Sequence, residues 1–265
     1  GPLGLQPDAA IGYSLGESSA LFGLRAWRDR DGMLARMEAS PLFVSDLTGR
    51  CDAARRAWGL RDDEKVDWKT GIVDRSPEEV RRALVGLSRV YLQIINTPRE
   101  CVDGGQRDRV EELARRLGCT LLSVPETTTM HCPVVRPVAE AYRSLHVLPT
   151  LPPARVRFYS AGLGHTYDLD SEAAADAILA QALDTIDFPA VIETAYREGV
   201  RVFVEVGPGG SCSRIISTLL AGRPHIARSA CVAGPDGLAA LWRLAGHLVA
   251  ERIPIDIGGL FGPSP

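Results

Sequence analysis

Several kinds of segment are missing from this sequence of 265 residues. It contains no apolar run near the roughly 20 residues that a membrane-spanning helix needs, and no charged and then apolar leader opens the chain. It also lacks an excess of charge, since 30 Lys and Arg stand against 33 Asp and Glu. This balance excludes a nucleic-acid footprint, a polybasic membrane patch and a disordered acidic tail. We therefore expect a cytoplasmic protein without a nucleic-acid or membrane partner.

Paired cysteine motifs are missing as well. The six cysteines are scattered without CxxC or Cys/His spacing, in a chain large enough not to need disulfides. This pattern indicates a reducing compartment, and no set of His, Cys, Asp and Glu has the spacing of a metal site. The stretch VEVGPGGSCSR at 204–214 lacks the Lys-Ser/Thr pair of a P-loop and the second half of a dinucleotide fingerprint. We interpret it as a tight turn between a strand and a helix.

The most regular pattern lies between residues 70 and 126. Strand-like and helix-like stretches follow one another there in the order TGIVDRS, SPEEVRRALVGL, RVYLQIIN, RECVDGG, QRDRVEELARRLG and CTLLSVP. Ser76 and Pro77 mark the start of the first helix, and Gly118 marks the end of the second. The predicted order, βαββαβ, is that of a ferredoxin-like unit.

The segments on either side predict an α/β layer domain that this small unit interrupts. Helical stretches alternate there with strands, including the continuous apolar strand VRVFVEV that is typical of a buried parallel sheet. RDGMLARMEASPLF at 30–43 and CPVVRPVAEAYRSL at 132–145 predict helices, and the stretch between residue 43 and about Lys69 is less regular. We predict a large subdomain from residues 3–46 and 127–257 and an inserted small subdomain at 47–126. Residues 1–2 are typical of a scar left by tag removal, and the Pro/Gly-rich residues 258–265 indicate a linker.

The stretch IGYSLGESSAL contains a possible nucleophile. Gly12, Ser14 and Gly16 match the pattern G-x-S-x-G, in which a sharp turn between a strand and a helix exposes the serine hydroxyl. The pattern alone is short enough to recur by chance, but the predicted strand before it and helix after it strengthen the interpretation. Ser14 is therefore either a nucleophile or a serine with only a structural role in the turn.

A serine nucleophile needs a base, and the chain has only five histidines. His247 is expected on the apolar face of the last helix. His146, shortly before Pro149, and His225, directly after Pro224, are expected in loops. His165 follows a strand and a glycine turn and could face a cleft. His131, where the chain crosses back from the small unit, is the best candidate; the alternative is a solvent-exposed histidine at a helix start.

Four blocks of the sequence together resemble a known family. IGYSLGESSAL, INTPRECVDGG, MHCPVVRP and VFVEVGPGG, in this order, are similar to the acyltransferase domains of polyketide and fatty acid synthases, which share the malonyl-CoA:ACP transacylase-like fold. The resemblance extends from about residue 8 to 257. GYSLGES further resembles the acyltransferases of polyunsaturated fatty acid synthases and related iterative synthases. The fold implied is an α/β-hydrolase-like large subdomain with an inserted ferredoxin-like small subdomain.

The resemblance implies roles for several residues. Ser14 would carry the acyl group, His131 would be its base in a Ser/His dyad, and the carbonyl of Phe188 would orient that histidine. The backbone N–H of Leu15 would be one oxyanion donor, and a second donor loop would lie upstream of residue 1. Loss of one such donor typically costs about 10² to 10³ in rate.

A departure from the family concerns the acyl group. Malonyl-type members carry an arginine roughly 25 residues after the serine, which forks onto the substrate carboxylate. Ala39, or Ser40 in a register shifted by one, stands at this position, and Arg36 would point about 60° away along a helix. We therefore expect a non-carboxylated acyl group.

Four residues are expected to line the substrate pocket. They are Tyr13, Ala39, Asn96 and Met130. The flexible thioether of Met130 suits an alkyl chain. For Asn96, the alternative is a turn residue before Thr97-Pro98.

The predicted activity is transfer of an acyl group from a thioester of coenzyme A or a carrier protein, through acyl-Ser14, to the phosphopantetheine thiol of an acyl carrier protein. No permanently bound cofactor is expected, because the phosphopantetheine arm belongs to the substrate. The expected partners are acyl-CoA, acyl carrier protein and neighbouring synthase domains such as a ketosynthase. Two alternatives stay open: a thioester hydrolase that edits or releases stalled chains, and a catalytically silent docking domain.

Overall fold

The structure, a computed structural model, describes residues 3–61, 63–125, 128–231 and 237–258, apart from the side chain of Leu238. The predicted tag scar, the boundary predicted between 126 and 127, and all but the first residue of the predicted linker lie outside these residues. Contacts divide the chain into two compact units, Ile11–Ala195 and the combination of Gly1–Ala10 with Tyr196–Pro265. These units do not coincide with the predicted subdomain bounds. In the described part of the chain, no helix has both the length and the apolar character needed to cross a membrane.

The secondary structure alternates between helices and strands along the chain. The α-helices among the described residues are α1 (Gly16–Gly23), α2 (Arg30–Glu38), α3 (Asp52–Trp58), α4 (Pro77–Leu84), α5 (Arg107–Leu117), α6 (Ala139–His146), α7 (Ser171–Leu183), α8 (Phe188–Arg197), α9 (Ser211–Leu219) and α10 (Gly237–Ala250). The strands are β1 (Ala9–Ile11), β2 (Trp68–Val73), β3 (Val90–Thr97), β4 (Glu100–Gln106), β5 (Leu122–Val124), β6 (Arg157–Tyr159), β7 (Thr166–Tyr167), β8 (Ile186–Asp187), β9 (Val202–Glu205) and β10 (Ile226–Ser229). Two 3₁₀ helices cover Pro41–Phe43 and Pro133–Val138.

The predicted βαββαβ unit is confirmed, and it runs from β2 to β5. Its strands lie in the order β5-β2-β4-β3, with each neighbouring pair antiparallel. A fifth strand, β8, extends the sheet by pairing parallel to β3, with Ile186 opposite Ile94. β8 contains two residues and follows α7 closely, which is why the sequence pattern did not reveal it.

Local signals explain why the two helices of this unit form where they do. Ser76 and Glu79 form a reciprocal capping box at the start of α4, followed by Pro77 at the first helical position. Gly118 ends α5 with a φ of 59°, a left-handed conformation that glycine adopts without a steric penalty. Both helices bury apolar side chains, among them Val80 and Leu113, in a common core with one face of the sheet.

The structure differs from the predicted helices in three places. The helix predicted at 132–145 begins instead as the 3₁₀ helix Pro133–Val138, because Pro137 inside it cannot donate a backbone hydrogen bond. The helix predicted at 30–43 ends at Glu38, and Pro41 starts a separate 3₁₀ turn. The region predicted as irregular up to Lys69 contains α3, which packs against the 3₁₀ helix Pro133–Val138.

The unit formed by Gly1–Ala10 and Tyr196–Pro265 contains the predicted apolar strand. β9 pairs parallel to β10, with Phe203 opposite Ala227. Its core includes Ala230, Leu244 and Leu248, and α10 supplies the two leucines.

Candidate active site

Ser14 lies in a sharp turn between β1 and α1, as the sequence pattern predicts. Its φ of 54° is in the left-handed region that a residue other than glycine seldom adopts, and such strain is frequent at functional sites. The turn is closed by hydrogen bonds from the N–H of Gly16 to the carbonyl of Tyr13 and from the N–H of Glu17 to that of Ser14. Gly12 allows this geometry, because a Cβ atom there would lie 2.1 Å from the backbone of Glu17.

Ser14 and His131 form a hydrogen-bonded pair. The Oγ atom of Ser14 lies 2.8 Å from Nε2 of His131, and Nδ1 of the same ring lies 2.6 Å from the carbonyl oxygen of Gln181. A carbonyl only accepts, so Nδ1 carries the proton and Nε2 is left to accept from the serine hydroxyl. His131 is 7% exposed and has a φ of 60°. This is the arrangement of a nucleophile with its base.

The carbonyl that orients His131 belongs to Gln181, so the prediction of Phe188 for this position is wrong. Gln181 lies in the last turn of α7, where backbone carbonyls have no acceptor role inside the helix. The next carbonyl, that of Ala182, accepts the N–H of Cys132 at 3.3 Å, so both residues of the His-Cys pair are held by the end of α7. Phe188 is the first residue of α8, further along the chain than Gln181. Its ring packs edge-on against the ring of Tyr13, with ring centroids 5.2 Å apart.

The electrostatic setting favours a neutral His131. Burial lowers its pKa, and the hydrogen bond to Gln181 opposes this shift only in part. A neutral imidazole can take a proton from serine, whereas a charged one cannot. The carbonyl end of α7 carries a partial negative charge, which would stabilise a protonated His131.

Leu15 follows Ser14 as the residue before α1. Its N–H has no hydrogen-bond acceptor among the residues that the structure describes, as is usual at a helix start. Its side chain is 73% exposed. The N–H is thus available to the predicted oxyanion position.

Tyr13 and Asn96, both predicted to line the pocket, are joined to each other. The Tyr13 hydroxyl donates to Oδ1 of Asn96 at 2.7 Å, and Nδ2 of Asn96 donates to Oε1 of Glu100 at 2.9 Å. Asn96 is buried inside β3, so the alternative of a turn residue is wrong.

Met130 and Ala39, the other two predicted pocket residues, differ in their surroundings. The half-buried Met130 directly precedes His131, and its carbonyl accepts a hydrogen bond from Nε2 of Gln93 at 2.7 Å. Ala39 is exposed and caps the end of α2. Arg36 donates to the carbonyls of Ser144 and Val147, so its guanidinium is engaged at the end of α6.

The other histidines lie outside the pair formed by Ser14 and His131, and two of them, His146 and His247, are not placed where the sequence predicts. His146 is buried at the end of α6, where its Nδ1 lies 2.7 Å from the carbonyl of Tyr142, instead of in a loop. His247 is exposed on α10, because the apolar face of that helix is formed by residues such as Leu244 and Leu248. His225 lies in a loop, as predicted, and His165 is exposed.

Glu17 is a site residue that the sequence reasoning missed. Its carboxyl is buried directly behind the Ser14 turn, and burial raises its pKa to about 7, against smaller opposing effects of Ser160 and Ala161. It stands three residues after Ser14, so the only available signal was an acidic residue in a helix otherwise made of small and apolar residues.

The glycine turn after β9 is occupied by the protein's own carboxylate. Glu205 accepts hydrogen bonds from the N–H groups of Cys212 and Ser213 at the start of α9, where a phosphate would bind in a nucleotide site. Across the described residues, no group of three or more His, Cys, Asp and Glu side chains is arranged to hold a metal ion.

The chain is similar in sequence to synthases that build polyketides and polyunsaturated fatty acids. It is 28% identical over 269 residues to a polyunsaturated fatty acid synthase protein of Thraustochytrium sp., and this match covers 95% of the chain and 13% of the relative. It is 25% identical over 268 residues to polyketide synthase GfsA of Streptomyces halstedii, covering 98% of the chain and 3% of the relative. The chain therefore spans a small part of these relatives. No protein-family model matches the sequence.

Solved structures of acyltransferases share the fold. The acyltransferase domain from the second module of the salinomycin polyketide synthase has a TM-score of 0.76 at 21% identity, covering 99% of the chain and 58% of that domain. Malonyl CoA-acyl carrier protein transacylase from Clostridium perfringens has a TM-score of 0.70 at 19% identity, and the match covers 94% of this chain and 74% of the transacylase. These comparisons confirm the predicted fold class, an α/β-hydrolase-like part with an inserted ferredoxin-like unit, and the resemblance on which it was based.

Proposed function

We propose that this chain is a serine acyltransferase that moves an acyl group from a thioester of coenzyme A or a carrier protein to the phosphopantetheine thiol of an acyl carrier protein. One observation carries the proposal: Oγ of Ser14 lies 2.8 Å from Nε2 of a histidine whose other nitrogen faces a carbonyl. The similarity to synthases of polyketides and polyunsaturated fatty acids supports it.

The first half-reaction acylates the serine. His131 Nε2 takes the hydroxyl proton as Ser14 Oγ attacks the thioester carbonyl carbon, with the Leu15 N–H donating to the oxygen that becomes negative. The C–O bond forms, the C–S bond breaks, and His131 passes its proton to the departing sulfur. The products are acyl-Ser14 and a free thiol.

The second half-reaction repeats these steps with the carrier. His131 takes the proton from the phosphopantetheine thiol, and the sulfur attacks the ester carbonyl of acyl-Ser14. The C–S bond forms, the C–O bond breaks, and the proton returns to Oγ. Coenzyme A and phosphopantetheine act as substrate arms, so the dyad needs no resident cofactor.

An uncharged acyl group suits this site better than a dicarboxylic one. Ala39 has no charge to offer a substrate carboxylate, and Arg36 is engaged with the carbonyls of Ser144 and Val147. A buried carboxylate without a partner costs several kcal/mol. The pocket residues Tyr13, Met130 and Asn96 present a ring, a thioether and an amide that is already hydrogen-bonded.

The setting we propose is a cytoplasmic synthase in which neighbouring domains, including a ketosynthase, use the loaded carrier. The similarity to synthases many times longer than this chain supports such neighbours. The six cysteines are free thiols, in keeping with a reducing compartment.

The test is intact mass spectrometry after incubation with malonyl-, acetyl- and longer acyl-coenzyme A. We expect an acyl adduct on the wild type from the uncharged donors, none from malonyl-coenzyme A, and none on Ser14→Ala. Stable malonyl labelling would contradict the proposed uncharged acyl group but agree with the proposed acyltransferase activity. The absence of an adduct from every donor would favour the catalytically silent docking domain. Release of the adduct faster to water than to a carrier thiol would identify a hydrolase instead.

A further inference from the structure

Ser14 and His131 share a local feature that raises the question of what holds them. Both have left-handed backbone conformations, with φ of 54° and 60°, which cost free energy and persist only where the surrounding structure imposes them. The residue directly before each of them, Tyr13 and Met130, is hydrogen-bonded to a side chain of the same strand, β3.

The first of these side chains is Gln93. Its Nε2 donates to the carbonyl of Met130 at 2.7 Å, and its Oε1 accepts from Oγ1 of Thr70 at 3.3 Å, which fixes the orientation of the amide. Gln93 is 3% exposed, so these partners replace water. Gly104 leaves the space for it, because a Cβ atom there would lie 2.0 Å from Oε1 of Gln93.

The second side chain is Asn96, three residues further along β3. Its Nδ2 donates to Glu100, so Oδ1 is the atom that accepts from the Tyr13 hydroxyl. Asn96 is 4% exposed. Each of the two amides is therefore hydrogen-bonded on one side to a residue of the βαββαβ unit. On the other side it is hydrogen-bonded to the residue that directly precedes Ser14 or His131.

We propose that Gln93 and Asn96 are positioning residues, through which β3 sets the distance between Ser14 and His131. The inference rests on the proposed function, since it assigns these amides to the alignment of that dyad. Neither amide is hydrogen-bonded to Ser14 or to the imidazole of His131. Asn96 acts through Tyr13, and Gln93 acts through Met130. A displacement of about 1 Å between reacting groups can cost about 10² in rate, so such links matter for catalysis more than for the fold.

Three variants separate positioning from simple stability. Gln93→Met keeps the length of the side chain and removes the donor to Met130, and Tyr13→Phe removes only the hydroxyl that binds Asn96. Gln106→Met is the matched control, because Gln106 also accepts a hydrogen bond, from the N–H of Asp67, in the same unit and away from the dyad.

We expect Gln93→Met and Tyr13→Phe each to lower the first-order rate of Ser14 acylation roughly 10- to 100-fold with little change in KM, and Gln106→Met to leave it unchanged. The double variant is expected to be about as slow as the slower single one, because either lost link already misaligns the pair. The inference would be overturned if the fold-losses of acylation rate in the two single variants multiplied in the double variant. It would also be overturned if the acylation rates fell only in proportion to Tm.

A second readout needs no acyl donor. The pKa of His131, followed by its ring proton NMR signal and assigned with His131→Gln, is expected to rise toward 6.5 in Gln93→Met, because the ring becomes less buried, and to stay unchanged in Gln106→Met. An unchanged His131 pKa in Gln93→Met would refute positioning by that amide. A wild type that forms no adduct with any donor would instead contradict the proposed function, so the two failures are distinguishable.

Discussion

Nδ1 of His131 lies 2.6 Å from the carbonyl oxygen of Gln181, the third residue from the end of α7. A main-chain carbonyl takes the place that a carboxylate has in a Ser-His-Asp triad. It fixes the tautomer and the direction of the ring as a carboxylate would, but it adds no full negative charge. As the proposed base, His131 therefore depends on burial and on the end of a helix for its properties.

The pH dependence of acylation is the first prediction. Burial lowers the pKa of His131 below 6.5, so the base stays neutral, and the rate stays high, at pH values where an ordinary histidine is protonated. We expect the acid limb of kcat/KM to have an apparent pKa below 6.5. Single-turnover acylation between pH 4.5 and 9 measures it.

The control for this profile is His165→Gln, which changes an exposed histidine outside the dyad. It should leave the profile intact, whereas His131→Gln should lower the rate roughly 10²- to 10⁴-fold. An acid limb at or above 6.5 in the wild type would contradict the assignment of His131 as a buried base.

The second prediction concerns Gly162, whose neighbour is the backbone of Gln181. A Cβ atom at residue 162 would lie 2.4 Å from the nitrogen of Gln181, so Gly162→Ala must displace the residue whose carbonyl holds His131. We expect a loss of about 1–3 kcal/mol in the free energy of unfolding and a decrease of about 10² in the rate of acylation. Urea denaturation and single-turnover acylation measure the two.

Gly164→Ala separates the two effects within the same loop. Gly164 has a φ of 76°, so alanine is strained there, but no atom lies within 4 Å of its Cβ position. This variant should lose stability while acylation of the folded protein continues at the wild-type rate. Equal losses of rate in both variants would mean that loop strain, and not the displacement of Gln181, controls catalysis.

The third prediction tests the proposed acyl specificity. Ala39→Arg would place a guanidinium at the end of α2, and a charge-assisted hydrogen bond to a carboxylate is worth about 1.5–3 kcal/mol. We expect malonyl labelling of Ser14 to rise about 10- to 100-fold relative to acetyl labelling, measured by competition between the two thioesters. Ala35→Arg, one turn earlier on the exposed side of α2, is the matched control. A similar increase in both variants would show that charge near α2, and not a clamp at residue 39, attracts malonyl groups.

The fourth prediction concerns Asp103 in the core of the βαββαβ unit. Its side chain is 0% exposed, and burial raises its pKa from 3.8 to about 8. The folded state thus holds a proton that the unfolded chain releases above pH 3.8, so stability falls as the pH rises from about 4 to about 8. Each pKa unit is worth about 1.4 kcal/mol, so the loss amounts to several kcal/mol.

Asp103→Asn removes this titration, and its advantage over the wild type in urea denaturation should grow between pH 5 and 9. Asp108→Asn, on the exposed surface of α5, should show no such growth. A constant difference between Asp103→Asn and the wild type across that range would refute a protonated Asp103 in the folded protein.

The sequence predicted the parts of the site that depend on short local patterns. Ser14 is indicated by its glycines and by the strand and helix around it, and His131 by its place after a recognisable βαββαβ unit. The signals of that unit are local too, such as the capping box at Ser76 and the glycine that ends α5. Apolar periodicity and capping residues act over a few residues, so one sequence contains them in full.

The parts that the sequence did not predict depend on distant segments. The position at which α7 ends decides which backbone carbonyl faces His131. Because every residue has a backbone carbonyl, the side chains around Phe188 could not indicate which one it would be. Gln93 and Glu17 gained their roles from neighbours far away in the chain. Helix α3 begins after Cys51 in a left-handed conformation, without any of the usual capping residues.

The pairing of β8 with β3 affects how this protein can be recombined with its relatives. Thr185 donates a hydrogen bond to the carbonyl of Leu92 at 2.6 Å, and the two residues after it complete the edge of the sheet. If residues 68–124 alone were exchanged, β8 of this chain would have to pair with the relative's strand in place of β3. A graft that exchanges the βαββαβ unit between this chain and a relative therefore has to carry 185–187 with it, although these residues lie some 60 positions further along the chain.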